Sequence, residues 1–296
     1  MSDKKYEIYH NDLKYKKNRE LDSSKIDWND HLKYLFENID LDSLDYRLYE
    51  CKRTNMCNLD LTNMDLIEFP KLPDEYREKI KCLFISENDL VYIPDLTSFR
   101  NLEILEISNN NINSIEALPP SLLELTCRFN KLSKLPDCPN IIRIDCSNNE
   151  ISEIPNYSSL KSLVCANNKI SQINTSQNME KLICSGNTIN YIGNLPKIKY
   201  LDCSDNKIIK LEDYKNLHDL ICNNNNMSDV IAYDQLKYLE IFGTGITVIP
   251  FMNNLKELLC EKTSHITISK KYISERKIES KVHKQRMLHI FFHKKI

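Results

Sequence analysis

Seven cysteines in this chain stand in one register. Cys127, Cys146, Cys165, Cys184, Cys203 and Cys222 follow one another every 19 residues, and Cys260 comes 38 residues later. A periodic thiol can serve four chemistries: a disulfide framework, a thiolate metal site, a nucleophile, or a small apolar filler. The local sequence bears on the choice. "LVCANNKI" at 163–170 returns as "LICSGNTI", "LDCSDNKI" and "LICNNNNM". Each thiol thus lies in a stretch alternating apolar and polar residues, which reads as a strand with one inward face.

Strands that recur this way stack in parallel, with inward side chains in a row about 4.8 Å apart. Parallel Cβ vectors keep neighbours beyond the Cβ separation of about 3.8 Å that a disulfide needs. A linear row offers at most two neighbours from one side, whereas zinc needs four ligands converging at about 2.3 Å. Apolar surroundings also raise a thiol pKa and suppress the thiolate. Packing is therefore the expected role, ahead of metal or redox sensing and of catalysis. Cys51, Cys57, Cys82 and Cys138 share no ligand spacing; Cys82, at an expected concave position, is the thiol most open to solvent. His289 and His293 are four apart and could share a helix face, but no glutamate or third ligand completes a metal site. No glycine-rich phosphate loop, H-E-x-x-H, G-x-S-x-G or kinase motif occurs, and the chain has only 4 glycines. No catalytic residue, metal or cofactor is expected.

The elements that position these residues are repeats. With apolar positions 1, 4, 6, 11 and 14 and asparagine at 9, the chain aligns with itself from Met56 to about Ile268. Eleven units begin at Met56, Ile80, Leu102, Leu122, Ile141, Leu160, Met179, Ile198, Leu217, Leu236 and Leu255, the last seven steps being 19 residues each. The pattern L-x-x-L-x-[LC]-x-x-N-x-[LI] resembles the leucine-rich repeat family over roughly 70% of the chain. "EIP" at 153–155, with "YIP", "KLP" and "VIP", resembles its short classes, whose convex side is extended or 3₁₀. The resemblance implies an α/β-type repeat solenoid: a curved parallel β-sheet with a thin convex side, roughly 50 Å along the stacking axis. The asparagines of position 9, from Asn88 and Asn110 to Asn206 and Asn225, are expected to satisfy turn backbone. Thr244 and Thr263 interrupt that column, and His265 replaces an aliphatic residue, as expected near an end.

With the inward positions given to packing, function falls on the outward strand positions of the concave face. Position 5 carries Val164, Ile183 and Ile221, position 3 Tyr200 and Tyr238, and position 7 Phe242. These six form a candidate apolar contact about 20 Å long. Arg128, Phe129 and Arg143 form a second, basic candidate.

Residues 1–54 lack the repeat. Ser23 or Ser24 can cap a helix carrying Ile26, Trp28, Leu32, Leu35, Phe36 and Ile39, so a helical N-terminal cap is expected before the solenoid of 55–268. Residues 269–296 carry nine Lys and Arg against two Glu. They read as a basic C-terminal cap, or as a segment for acidic partners or surfaces.

The net charge of -2 gives no global reason to expect nucleic acid. Nothing resembles a signal peptide or membrane span, so the eleven cysteines are expected to be reduced in a cytoplasmic monomer. Scarce glycine beside abundant Ile, Asn and Lys follows AT-rich codons. In that bias the chain resembles leucine-rich repeat proteins of giant amoeba viruses or AT-rich protists. The expected function is a non-catalytic module binding a protein on its concave face, with an adaptor recruiting ubiquitin or phosphatase machinery through the N-terminal region as the alternative.

Overall fold

The computed structural model describes residues 43–174, 176–261, 267–268, 276–283 and 287–294. Contacts divide the chain into 1–46 and 47–296. The larger unit holds a 13-stranded sheet in which, among the described residues, eleven strands run parallel in chain order. They extend from Asn58–Asp60 to Glu257–Glu261, and most are three residues long.

Register follows the aliphatic residue at position 4. Leu59 pairs with Leu83, Leu83 with Leu105, Leu105 with Leu125, and the series continues through Ile144 and Leu163 to Leu239 with Leu258. A slip of one residue would turn every one of these side chains outward. All of them are at most 2% exposed. Positions 1, 6, 11 and 14 complete the same core, with five buried residues in most coils, while Leu66, Phe69 and Ile154 are half-buried.

Asparagine at position 9 ties each coil from the second to the ninth to the one before it. Asn187 donates from Nδ2 to the carbonyls of Cys165 (3.0 Å), Cys184 (3.0 Å) and Ser185 (3.3 Å), while its Oδ1 accepts from Ile170 N at 3.0 Å. Asn88, Asn110, Asn130, Asn149, Asn168, Asn206 and Asn225 repeat this set of partners. Thr244 instead donates to Ile241 O within its own coil. Thr263 and His265 lie outside the described residues.

The residue at position 8 takes a left-handed backbone in ten consecutive coils, eight of which have the asparagine next to it: Asn63, Glu87, Asn109, Phe129, Asn148, Asn167, Gly186, Asp205, Asn224 and Gly243, with φ between 51° and 67°. Asn, Asp and Gly tolerate this region, and they fill eight of the ten places. A Cβ at Gly186 or Gly243 would meet Oδ1 of Asn167 or Asn224 in the preceding coil, so that side chain would have to move aside.

The convex side is thin, as the unit length requires. It consists of extended segments with three short parallel pairs: Tyr92–Asp95 with Ser114–Ala117, Gln172–Ile173 with Tyr191–Ile192, and Val248–Ile249 with Thr267–Ile268. A single helical turn, Asp74–Arg77, fills the first and longest unit. Position 17, which the apolar pattern does not predict, holds the buried Cys138, Tyr157, Leu195, Tyr214, Tyr233 and Met252. Buried hydroxyls need partners. Tyr157 donates to Pro136 O at 2.7 Å, and Tyr233 to Glu212 O at 3.2 Å.

A helix, Leu44–Arg53, precedes the first strand, with Cys51 buried. The helical stripe expected from Ile26 to Ile39 lies outside the described residues. Downstream, Arg276–His283 and Met287–Lys294 form an antiparallel pair of strands, and the second pairs antiparallel with Glu257–Glu261. His289 and His293 therefore lie on a strand rather than a helix. The edge that the last parallel strand would offer is paired, and the edge of the sheet passes to Arg276–His283.

Asn187→Ala deletes three donated bonds and one accepted bond at a buried turn, and should lower stability by about 1–3 kcal/mol. Asn178→Ala, which removes exposed bonds to Ser158 O and from Lys197 Nζ, should cost well under that. Urea midpoints check the difference; equal midpoints would show that the inner ladder is not what joins the coils.

Candidate functional site

The cysteine row is interior. Cys127, Cys146, Cys165, Cys184, Cys203 and Cys222 are fully buried and Cys260 is 1% exposed, and all are free thiols. The same row continues with Leu61, Ile85 and Ile107 before Cys127 and with Ile241 after Cys222, all at most 3% exposed. Aliphatic residues thus do the same job at the same place, and the row is a packing row. Burial pushes the Cys222 thiol up to about 12, and the neighbouring Asp202 and Glu240 carboxylates push in the same direction. Cys165 is raised further by burial, then by Asp145. Among the described residues no three His, Cys, Asp or Glu side chains converge on a point that could hold a metal ion. Cys82 is half-buried on the concave side, and burial raises its thiol as well.

The outward rows present what lies between the buried positions. Val164, Ile183, Tyr200, Ile221, Tyr238 and Phe242 are all half-buried. Register sets Val164 beside Ile183, Ile183 beside Asp202, and Asp202 beside Ile221. In the adjacent row Tyr200 and Tyr238 flank Asp219. The six apolar residues therefore do not form an unbroken strip; carboxylates separate them from the eighth coil onward. Tyr238 Oη donates to Glu240 Oε2 at 2.7 Å, and burial followed by that bond pushes its hydroxyl pKa up. Phe242 N donates to Asn223 Oδ1, and Asn223 Nδ2 to Glu240 Oε1 at 2.8 Å. Lys181 Nζ sits 5.7 Å from the centre of the Tyr200 ring.

Arg128 and Arg143 do not make a basic surface. Arg143 pairs with Glu124 across the strands, and Arg128 Nε lies 3.7 Å from Asp145 Oδ2. What distinguishes this region is Phe129, which is 54% exposed and left-handed at φ 53° in a column otherwise almost wholly Asn, Asp and Gly. A bulky residue there is strained. Sequence reasoning grouped Phe129 with the arginines for charge and overlooked its backbone. The signal was in the column itself, where eight of ten residues are turn formers.

No helix among the described residues is long and apolar enough to cross a membrane. No family model matches the chain. The chain is 39% identical to Toll-like receptor 2 of Equus caballus over 83 residues, 26% of this chain and 10% of the receptor. It is 34% identical to that of Capra hircus over 28% of this chain and 10% of the receptor. The chain thus spans about a tenth of the length of the curated relatives it matches. Among solved structures, the leucine-rich effector protein YopM from Yersinia pestis superposes with a TM-score of 0.64 at 23% identity, covering 74% of this chain and 69% of that one. A leucine-rich repeat protein of Leptospira interrogans gives 0.59 at 24% identity over 68% and 59%. YopM from Yersinia enterocolitica gives 0.55 at 22% identity over 75% and 64%.

A raised thiol pKa favours the folded state fully below the unfolded thiol value of about 8.5, and the contribution is lost as pH climbs through the folded value. For Cys222 that window closes at about 12. Cys165→Val with Cys222→Val should therefore match the parent's thermal midpoint at pH 7 within a few degrees and fall less steeply between pH 9 and about 11. Identical slopes in pH-dependent circular-dichroism melts would contradict buried, protonated thiols. The coil-to-coil register, the asparagine ladder and these superpositions together identify the fold as that of the leucine-rich repeat proteins.

Proposed function

We propose that the protein is a non-catalytic binding module that receives a protein partner on the concave face of its solenoid. The supporting observation is the division of labour along each strand. Inward positions are filled by packing residues, the turns by backbone-satisfying asparagines, and only the outward rows hold side chains without a structural task of that kind. In those rows Val164, Ile183, Tyr200, Ile221, Tyr238 and Phe242 present aromatic and aliphatic surface of the type that anchors interfaces. The same reading includes a monomer in the cytoplasm, with the basic C-terminal residues available to acidic surfaces. The origin in a giant amoeba virus or an AT-rich protist belongs to it too, on residue bias alone.

A second location is favoured by one observation, the strained and exposed Phe129. Strain of this kind clusters at functional sites.

A partner captured with the intact chain should bind Ile183→Asp with Tyr238→Ala at least about tenfold more weakly, since two central anchors are lost. Both positions are outward, so the thermal midpoint should hold; undiminished binding would remove the concave rows as the site. Phe129→Asn should relieve about 1 kcal/mol of left-handed strain, raising the melting temperature by roughly 2–4 °C. If the stabilised variant loses the partner, the contact lies at Phe129; if it keeps it, the first location stands.

A further inference from the structure

The outward face of three consecutive strands, Tyr200–Asp202, Asp219–Ile221 and Tyr238–Glu240, is a checkerboard. One row reads Tyr200, Asp219, Tyr238 and the next reads Asp202, Ile221, Glu240, with each residue registered beside its neighbour in the following strand. Every carboxylate is thus bordered by an aromatic or aliphatic side chain, and every apolar side chain by a carboxylate. All six residues are half-buried, within reach of a ligand. The rows contain three acids and no base in these strands. The contrast with the fourth and fifth coils is plain, because there each outward acid has a basic neighbour: Glu124 pairs with Arg143, and Asp145 with Arg128.

An aromatic ring beside a carboxylate is the arrangement that receives a cation, the ring by its quadrupole and the carboxylate by charge. The chain itself shows how this face treats one: Lys181, from the strand before, holds its ammonium 5.7 Å from the Tyr200 ring centre. Lys199, His218 and Lys237 form a separate row one residue before these strands, where Lys199 pairs with Glu180 at 2.6 Å. Three acids spread over two strand steps span about 10 Å. That is more than one cationic side chain can satisfy, and matches two or three along an extended peptide, which advances about 3.3 Å per residue. Arginine fits better than lysine, since a planar guanidinium can stack on Tyr200 or Tyr238 while forking onto a carboxylate.

We infer that the concave face at coils eight to ten binds an extended, arginine-bearing segment of a protein partner. The inference rests on the concave-face reading and names its partner's chemistry. Glu240 is already oriented by Tyr238 Oη and Asn223 Nδ2, so it forms a fixed acceptor. Asp202 Oδ1 accepts from Ser204 N at 3.1 Å, a bond that asparagine can also accept, so Asp202→Asn preserves the turn.

The test is fluorescence anisotropy of the full chain with a labelled 12-residue peptide of alternating arginine and alanine, against the same peptide with citrulline for arginine. The arginine peptide should bind, the citrulline peptide at least about tenfold more weakly, and Asp202→Asn with Asp219→Asn should cost the arginine peptide about tenfold. Absence of binding, equal affinity for the two peptides, or full affinity in the double variant would overturn the inference. A captured partner separates this from the broader reading. If it is lost from Ile183→Asp with Tyr238→Ala but held undiminished by Asp202→Asn with Asp219→Asn, the concave face stands and the cationic segment falls. If both variants keep it, both readings fall.

Discussion

The bonds made by one carboxamide in each of eight consecutive coils, from Asn88 to Asn225, are what the rest of the molecule depends on. A three-residue strand followed by a tight turn leaves carbonyls and amides pointing into a core with no water to receive them, and an unmet buried group costs about 1–3 kcal/mol. Asparagine at position 9 answers on both sides, donating to carbonyls of its own coil and the one before while accepting from an amide of the preceding coil. The geometry also demands a left-handed residue just before it, which explains the run of Asn, Asp and Gly in that place. Strand register and the rows on the outward face run with this joint through the middle of the sheet, and register persists past it to the last parallel strand.

A consequence is that the residues with the most chemical promise are the least available. The interior between strand and convex wall is narrow, and a cysteine side chain fills it in six consecutive coils as leucine and isoleucine do in others. Burial that suits packing also holds the thiols protonated. Chemistry is displaced to positions that alternate outward, where side chains carry none of the internal ladder and are free to differ from coil to coil.

Much of this was legible in the sequence, and for physical reasons. Leu59 to Leu258 at position 4 and Asn88 to Asn225 at position 9 are columns because stacking repeats one environment, so the spacing alone gives register. The left-handed column was not read because its members, including Glu87 and Phe129, share a backbone angle rather than a chemical type. Asparagine abundance exceeds what codon bias and position 9 account for, since the residue also fills position 8 and the loop before the strand, where Asn140, Asn216 and Asn254 donate to carbonyls of the preceding coil. At the candidate surface, Ile183 and Tyr238 were identifiable from alternation. The cancellation of Arg128 and Arg143 by Asp145 and Glu124 depends on cross-strand neighbours roughly 20 residues away, visible only once the coils are aligned.

Each strand splits its residues between a sealed packing row and an outward, accessible row. Ile183 and Cys184 are adjacent in sequence and fall on opposite sides of that split. The most direct measurement is maleimide labelling of native Ile183→Cys, with peptide mass spectrometry resolving the two positions. The account predicts rapid modification of the introduced thiol at 183, its protection by bound partner, and no modification of Cys184 until the protein unfolds. Modification of Cys184 in the native protein at a rate matching position 183 would contradict it.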